Sequence, residues 1–91
     1  MTEARGVPSR AEVSERLATL LHEIAGVPSE LITDSATIDN ELQMQSVTFV
    51  ELQVAIEEEY DTQIDPIQVV ELNQFAAIVD YVCECAGRRP I

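Results

Sequence analysis

Apolar residues recur at helical spacing in four separate stretches of this chain, and none of these stretches alternates apolar with polar residues as a half-buried strand does. No Asn-Gly or Asp-Gly pair joins two alternating runs, as a hairpin would require. In the first stretch, Ser9 and Glu12 fit a capping box and Gly26 is a stop signal. The apolar stripe between them consists of Val13, Leu17, Leu20, Leu21 and Ile24. We therefore predict an all-α chain whose first helix covers residues 10–25.

A long connection separates this helix from the second one. It covers residues 27–45, which is longer than a compact domain usually tolerates without a purpose. Its apolar residues suggest that it is pinned to the core, and they are Leu31, Ile32, Ile38, Leu42 and Met44. The second helix is predicted to begin at Ser46 or Val47 and to end at about Glu59.

The end of the chain predicts a short helix and a longer one. Asp65 offers an N-cap and Pro66 suits the first turn of a short third helix that extends through Leu72. We expect Asn73 to cap the last helix, which Gly87 ends. The buried stripe of that helix is predicted to be Phe75, Ile78, Val79 and Val82.

Length and composition fit one globular domain. The chain has 91 residues, of which 46% are hydrophobic and 24% charged, and this composition is not that of a disordered chain. We expect the domain to span residues 9–87, between a flexible N-terminal tail at residues 1–8 and a C-terminal tail at residues 88–91. The N-terminus lacks the apolar stretch of a signal peptide and no run is long enough to cross a membrane. We therefore expect a cytoplasmic protein without membrane insertion.

Charge restricts the partners of this protein. The formal net charge is −12, and the five basic residues lie near the two ends of the sequence, at Arg5, Arg10, Arg16, Arg88 and Arg89. Nucleic acid is disfavoured as a partner, because phosphate contacts need a basic surface. Proteins with basic surfaces are favoured, because long-range attraction speeds their encounter with an acidic chain.

The second helix has two distinct faces when residues are placed about 100° apart around its axis. One face is the predicted core stripe of Phe49, Leu52, Ile56 and Tyr60. The opposite face carries Val47, Glu51, Val54 and Glu58. Two aliphatic residues interleaved with two acids fit a docking face for a basic, partly apolar partner. The alternative is an ordinary solvated face, since single exposed valines and glutamate-rich surfaces are common.

Ser46 has a structural and a functional interpretation. Serine is among the best N-caps, and capping alone accounts for a serine at a helix start in most proteins. The functional interpretation is that a helix N-terminus offers unpaired N–H groups and the positive end of the helix dipole, which favour a phosphodiester attached to this hydroxyl.

The residues that follow Ser46, together with the pattern over residues 12–86, resemble the acyl carrier protein family. The similar segments are 25–27, 35–38, 41–42, 49–64 and 75–82. The resemblance implies a right-handed four-helix bundle with a short third helix. It also implies that a separate phosphopantetheinyl transferase attaches 4'-phosphopantetheine to Ser46 from coenzyme A. Acyl groups would then be held on this arm as thioesters.

The implied protein is a monomeric carrier rather than an enzyme. It would deliver acyl groups to basic-surfaced acyl-transferring or condensing enzymes of fatty acid, polyketide or related specialised lipid synthesis. The residues predicted to contact its partners are Gln45, Val47, Glu51, Val54, Glu57 and Glu58. The other function considered is that of an acidic helical adaptor that kept the bundle and its docking face and is never modified. A carrier of aminoacyl groups is disfavoured, because no glycine pair precedes the serine region.

One departure from the family pattern lies at the attachment site itself. The family usually has Asp-Ser-Leu, whereas this chain has Gln45, Ser46 and Val47. The resemblance implies that the transferase would contact the chain here, and the charge next to the serine is missing at that point. A specialised carrier with its own partners is favoured over a general fatty-acid carrier.

No other catalytic or metal site is predicted. Cys83 and Cys85 point about 200° apart on a helix and do not converge on one metal. A cytosolic setting disfavours a disulfide, so we expect reduced, partly buried thiols. His22 lies off the apolar stripe of its helix and is expected to face solvent. The acidic run at residues 57–61 lacks the alternating ligands and the central glycine of a calcium loop.

Overall fold

Four α-helices, in the predicted order, form the part of the chain that the computed structural model describes, residues 8–87. They are α1 (Arg10–Ala25), α2 (Ser46–Tyr60), α3 (Pro66–Leu72) and α4 (Phe75–Gly87), with a short 3₁₀ helix (Ser29–Leu31) after α1. Among these residues no strand forms, and one isolated bridge joins Thr37 to Gln74. The all-α prediction of four helices with a short third one is confirmed. The predicted tails fall almost wholly on residues 1–7 and 88–91, outside the described residues.

The limits of α1 follow from its caps. The Ser9 hydroxyl accepts a hydrogen bond from the N–H of Glu12 at 3.1 Å, and the Glu12 carboxylate accepts one from the N–H of Ser9 at 3.0 Å. This is the reciprocal capping box that the sequence predicts. At the other end, Gly26 adopts φ 72°, a left-handed conformation that glycine reaches without a steric penalty.

The core lies where α1, α2 and α4 meet. α1 packs against both α2 and α4, and α3 packs against α4. Val13 and Leu17 of α1 and Val79 of α4 are almost completely buried, as their apolar stripes predict. In α2, Leu52 and Ile56 are buried, while Phe49 and Tyr60 are partly buried against the core. The buried stripes position α2 so that its opposite face lies in solvent.

The connection between α1 and α2 is held to the core, and four of the five residues predicted to pin it do so. Leu42 is buried as predicted, and Ile32, Ile38 and Met44 are partly buried. Leu31 was expected to pin the connection, and this is wrong, because the short 3₁₀ helix lies outside the core and none of its residues is buried. Val27 and Ala36 are buried instead.

The junction between α3 and α4 also differs from the prediction. Asn73 is the C-cap of α3 and its N–H donates to the carbonyl of Val69 at 3.1 Å, so the expectation that it caps the last helix is wrong. Asn73 has φ 64°, and asparagine tolerates positive φ better than most residues do. α4 begins two residues later, at Phe75. Within residues 8–87, no helix combines the length and the apolar character that a membrane span requires.

Candidate functional site

Ser46 is the first residue of α2 and is exposed to solvent. The N-cap position belongs to Gln45, which has the extended backbone typical of a cap (φ −74°, ψ 159°) and accepts the N–H of Phe49 through its carbonyl at 2.9 Å. The interpretation of Ser46 as the capping residue is therefore wrong. Within residues 8–87 the Ser46 hydroxyl makes no hydrogen bond, so it is open to an incoming group.

The start of α2 is electrostatically suited to an anion. Gln45 makes no side-chain cap hydrogen bond, which leaves N–H groups of the first turn unpaired, and the first turn contains no acidic residue. The first acid after Ser46 is Glu51. The last acid before it, Glu41, accepts a hydrogen bond from the N–H of Thr37 at 3.1 Å, which lowers the pKa of its carboxyl. The unpaired N–H groups and the helix dipole can therefore stabilise a phosphodiester on Ser46 with no carboxylate in the first turn to oppose it.

The outward side of α2 is partly apolar. Val47 and Val54 are 62% and 44% exposed, and Glu51 and Glu58 are exposed with them, as the two-face pattern predicts. Val50, 54% exposed, was not among the predicted partner-binding residues. With about 100° between successive residues, Val47, Val50 and Val54 fall within about 60° of one another around the axis. Spacing alone did not assign Val50 to this stripe, because Val50 lies at the border between the two predicted faces.

One of the predicted partner-binding acids is engaged within the protein. The Glu57 carboxylate accepts the N–H of Ile64 at 2.9 Å and lies 3.5 Å from the side-chain nitrogen of Gln53. The same nitrogen donates to the carbonyl of Ile64 at 3.0 Å. Glu57 and Gln53 thus hold the segment between α2 and α3 against α2. Contact of Glu57 with a partner stays a prediction, but the structure gives this side chain an internal function.

The other acids of α2 differ in their partners. Glu59 forms an ion pair with Arg16 of α1 at 3.1 Å. Glu51 and Glu58 have no side-chain partner within residues 8–87, and both belong to the outward side. The described part of the chain contains one further arginine, Arg10, which pairs with Asp80 of α4 at 2.6 Å. The two acids facing outward are therefore not neutralised by cations of the described domain.

An apolar cavity of about 40 Å³ lies among the helices. Its lining is apolar except for Gln53, whose amide is turned to Ile64. The helices contribute Leu17, Leu21, Phe49, Leu52, Ile56, Val69, Phe75 and Ile78, and the connections contribute Ile38, Leu42, Met44 and Ile64.

The remaining reactive side chains do not form a second site. Cys83 is half-buried, Cys85 is buried, and both are free thiols, as predicted. His22 is exposed, as predicted, and its Nδ1 lies 2.9 Å from the carbonyl of Val27. Within residues 8–87, no group of three or more His, Cys, Asp or Glu side chains is placed to hold a metal ion.

Comparison with known proteins agrees with this geometry. The family model described as "Phosphopantetheine attachment site" matches residues 15–82, which include all of α2 and the serine at its start. Among solved structures, an acyl carrier protein from Enterococcus faecalis superposes with a TM-score of 0.69 at 23% identity, covering 86% of this chain and 99% of the other. At this identity the likeness shows the fold. The fold and the family match define a phosphopantetheine-binding carrier domain.

The chain belongs to the phosphopantetheine attachment site family, and its fold is that of an acyl carrier protein. Members of this family are carriers that interact with partner enzymes, and they are not catalysts.

Proposed function

We propose that Ser46 carries the 4'-phosphopantetheine arm and that the protein holds acyl groups on it as thioesters. The position of this serine supports the proposal. It is exposed, begins α2 without capping it, and makes no hydrogen bond within the described residues. A phosphate ester formed there would meet the unpaired N–H groups of the first turn. The arm supplies the thiol that forms the thioester, and the chain supplies its attachment point and its presentation to other proteins.

The outward side of α2 is the proposed docking surface for those proteins. The residues proposed to contact partners, on this side and next to it, are Gln45, Val47, Glu51, Val54, Glu57 and Glu58, as expected from the sequence, together with Val50. The unneutralised charges of Glu51 and Glu58 favour enzymes with basic surfaces. The exposed valines favour partners with an apolar centre to their contact. These partners would include a phosphopantetheinyl transferase and acyl-transferring or condensing enzymes of fatty acid, polyketide or related specialised lipid synthesis. A monomeric state and a cytoplasmic location remain predictions.

Intact mass spectrometry tests the attachment site. The chain is incubated with coenzyme A and a phosphopantetheinyl transferase, and the gain of the mass of one arm is measured. We expect wild type to gain it and Ser46→Ala to gain nothing. The matched control is Ser29→Ala, because Ser29 is also an exposed serine that begins a helix, the 3₁₀ helix. This control should be modified like wild type.

The same experiment decides between carrier and adaptor. Modification of Ser46→Ala would show that the arm is attached elsewhere. If wild type gains no mass with any of several transferases of different specificity, the chain is the unmodified acidic adaptor instead.

A further inference from the structure

The start of α2 lacks the side-chain cap that fixes the start of α1. Ser9 and Glu12 form a capping box at α1, whereas Gln45 makes no side-chain cap hydrogen bond at α2. An uncapped helix end frays readily, because the N–H groups of its first turn have no partner within the helix. The position of Ser46, the first residue of α2, must therefore depend on the residues that lead into the helix. These are residues 37–45, which we call the entry segment.

The entry segment begins at a point that is fixed on the body of the protein. The backbone on either side of Thr37 is bonded to the junction between α3 and α4. The N–H of Ile38 donates to the carbonyl of Asn73 at 2.9 Å, and the carbonyl of Ala36 accepts the N–H of Phe75 at 2.8 Å. Thr37 is therefore a fixed anchor for the residues that follow it.

Hydrogen bonds fold the entry segment back onto Thr37. The carbonyl of Thr37 accepts the N–H of Leu42 at 2.9 Å and that of Asn40 at 3.2 Å, and its hydroxyl accepts the side-chain nitrogen of Asn40 at 3.3 Å. The N–H of Thr37 donates to the Glu41 carboxylate at 3.1 Å. The fold of this turn brings Leu42, which is 1% exposed, into the core. The chain then has only three residues in which to reach Ser46.

The bond to Glu41 differs from the others in this turn because its acceptor is a carboxylate. Hydrogen bonds to an ionised acceptor are roughly twice as strong as neutral ones. The N–H of Thr37, followed by the N–H of Glu41 itself, lowers the pKa of this carboxyl, so the two N–H groups favour its charged form. Without Glu41 the N–H of Thr37, a half-buried residue, would lose its acceptor. The folded turn, and with it the path into α2, would then be less well held.

We propose that Glu41 is a positioning residue for Ser46: by accepting the N–H of Thr37 it keeps the entry segment folded, and the folded segment holds the serine hydroxyl in place for a transferase. This inference rests on the proposed attachment of the arm to Ser46. In that step the serine oxygen bonds to the phosphorus next to the pantetheine of coenzyme A. The pyrophosphate bond breaks, adenosine bisphosphate leaves with the electron pair, and a base of the transferase takes the serine proton. A displaced hydroxyl slows this step even when the carrier still binds, because the attacking oxygen must lie in line with the leaving group.

Hydrogen exchange of the unmodified protein tests the effect of Glu41 on the start of α2. The amide of Phe49 donates the first backbone hydrogen bond of the helix, at 2.9 Å. We expect Glu41→Ala to speed its exchange several-fold, while the amide of Ile56 in the middle of α2 keeps its rate. Glu41→Gln should leave both rates near those of wild type, because its amide oxygen can still accept the N–H of Thr37. No acceleration at Phe49 in Glu41→Ala, or equal acceleration at Phe49 and Ile56, would overturn the proposal.

Modification kinetics test the effect on Ser46 itself. Initial rates with one transferase and saturating coenzyme A are measured by intact mass over a range of carrier concentrations, at a temperature where circular dichroism shows every variant to be folded. We expect Glu41→Ala to lower kcat on the order of tenfold with little change in KM, because the outward side of α2 is unaltered. Glu41→Gln should retain most of the wild-type kcat, because it restores the acceptor without the charge.

The matched control is Glu30→Ala, which removes another exposed acid from the same connection and, within residues 8–87, breaks no side-chain hydrogen bond. It should leave kcat and KM unchanged. If Glu41→Ala and Glu41→Gln both raise KM at constant kcat, the transferase contacts the charge of Glu41 directly and the positioning role is wrong. If wild type is not modified at all, the proposed function fails and this inference fails with it. A modified wild type with an unaffected Glu41→Ala overturns this inference alone.

Discussion

The two ends of α2 differ in charge, in capping and in their contacts with the rest of the protein. The first turn, from Ser46, contains no acid, has no side-chain cap and leaves its serine hydroxyl open. The last turns contain Glu57, Glu58 and Glu59, and the first and third of these are bonded to Ile64 and Arg16. The first turn of α2 is therefore neutral and its serine is accessible, whereas the last turns are acidic and partly bonded to neighbouring elements.

Helix stability does not explain this distribution. The helix dipole favours acids in the first turn and bases in the last turn, by about 0.3–1 kcal/mol for each charge at the surface. α2 has neither, since the structure shows no acidic residue in its first turn and no basic residue in its last. The neutral start instead suits an attached phosphate, and the outward acids Glu51 and Glu58 suit attraction of a basic partner. The two ends of α2 are thus consistent with the proposed attachment at its start and with the proposed electrostatic attraction of partners along the rest of it.

The largest expected effect is a difference in stability between variants of Glu57, which is hydrogen-bonded to Ile64, and variants of Glu58, which has no side-chain partner in the described residues. Glu57→Ala removes the acceptor of the Ile64 N–H, so we expect the free energy of unfolding to fall by about 1–3 kcal/mol. Glu58→Ala removes an exposed side chain without a partner in the described residues and should change it by less than about 0.5 kcal/mol. Urea denaturation measures both. If both variants lose the same free energy of unfolding, the hydrogen bond of Glu57 does not stabilise the fold.

Reversing the charges of Glu51 and Glu58 tests whether these acids attract a basic partner. The double variant Glu51→Lys, Glu58→Lys should associate with a basic condensing enzyme on the order of tenfold more slowly at low salt, and the difference should shrink as salt screens the charges. Stopped-flow association rates over a range of salt concentrations measure this.

The control for steering is Glu23→Lys, Glu30→Lys, which makes the same change in net charge at two exposed positions outside α2. If this control slows association as much as the α2 variant does, net charge rather than the α2 surface governs the encounter.

Two serines at helix starts provide the third test. Ser9 caps α1 in a capping box, so Ser9→Ala should lower the free energy of unfolding by about 0.5–2 kcal/mol. Ser46 follows the cap of α2, and alanine is a better helix former than serine, so Ser46→Ala should change it by less than about 0.5 kcal/mol. Thermal or urea unfolding of the two variants measures the difference. A large loss in Ser46→Ala would indicate that the hydroxyl stabilises the helix after all.

The helices were largely predictable because their signals are local. The capping box at Ser9, the glycine at position 26 and the apolar stripes of α1 and α4 act within a few residues of one another, and the structure confirms each of them. Asn73 was assigned to the wrong helix: its N–H closes α3 on the carbonyl of Val69, and its side chain bonds to Asp39, far away in sequence, rather than to α4. No local pattern contains that contact.

The site was predictable to the extent that helical spacing determines exposure. Spacing correctly assigned Val47 and Val54 to the exposed side of α2. It missed Val50, because the exposure of a residue between two faces depends on whether a neighbouring element covers it. Spacing also gave no indication of the bond between Glu57 and Ile64, because that bond depends on the path of the chain after α2.

Gln45→Asp gives the smallest expected effect and bears directly on the neutral start of α2. Gln45 occupies the N-cap with an extended backbone, and an aspartate there can accept N–H groups of the first turn. If the missing charge marks specialisation, the introduced carboxylate should also pair with a basic surface of a fatty-acid-type transferase. An exposed pair of this kind is worth about 0–1 kcal/mol, so modification should become up to several-fold faster.

Gln45→Asn is the matched control, because asparagine caps a helix without adding a charge. Both variants should gain up to about 1 kcal/mol of stability, and the aspartate variant alone should be modified faster. Initial rates at low salt with one transferase and one coenzyme A concentration measure this. Unchanged or slower modification of Gln45→Asp would show that the transferase does not recognise the carrier by the charge at position 45. Any specialisation of this carrier for its partners would then have to depend on the outward valines and acids of α2.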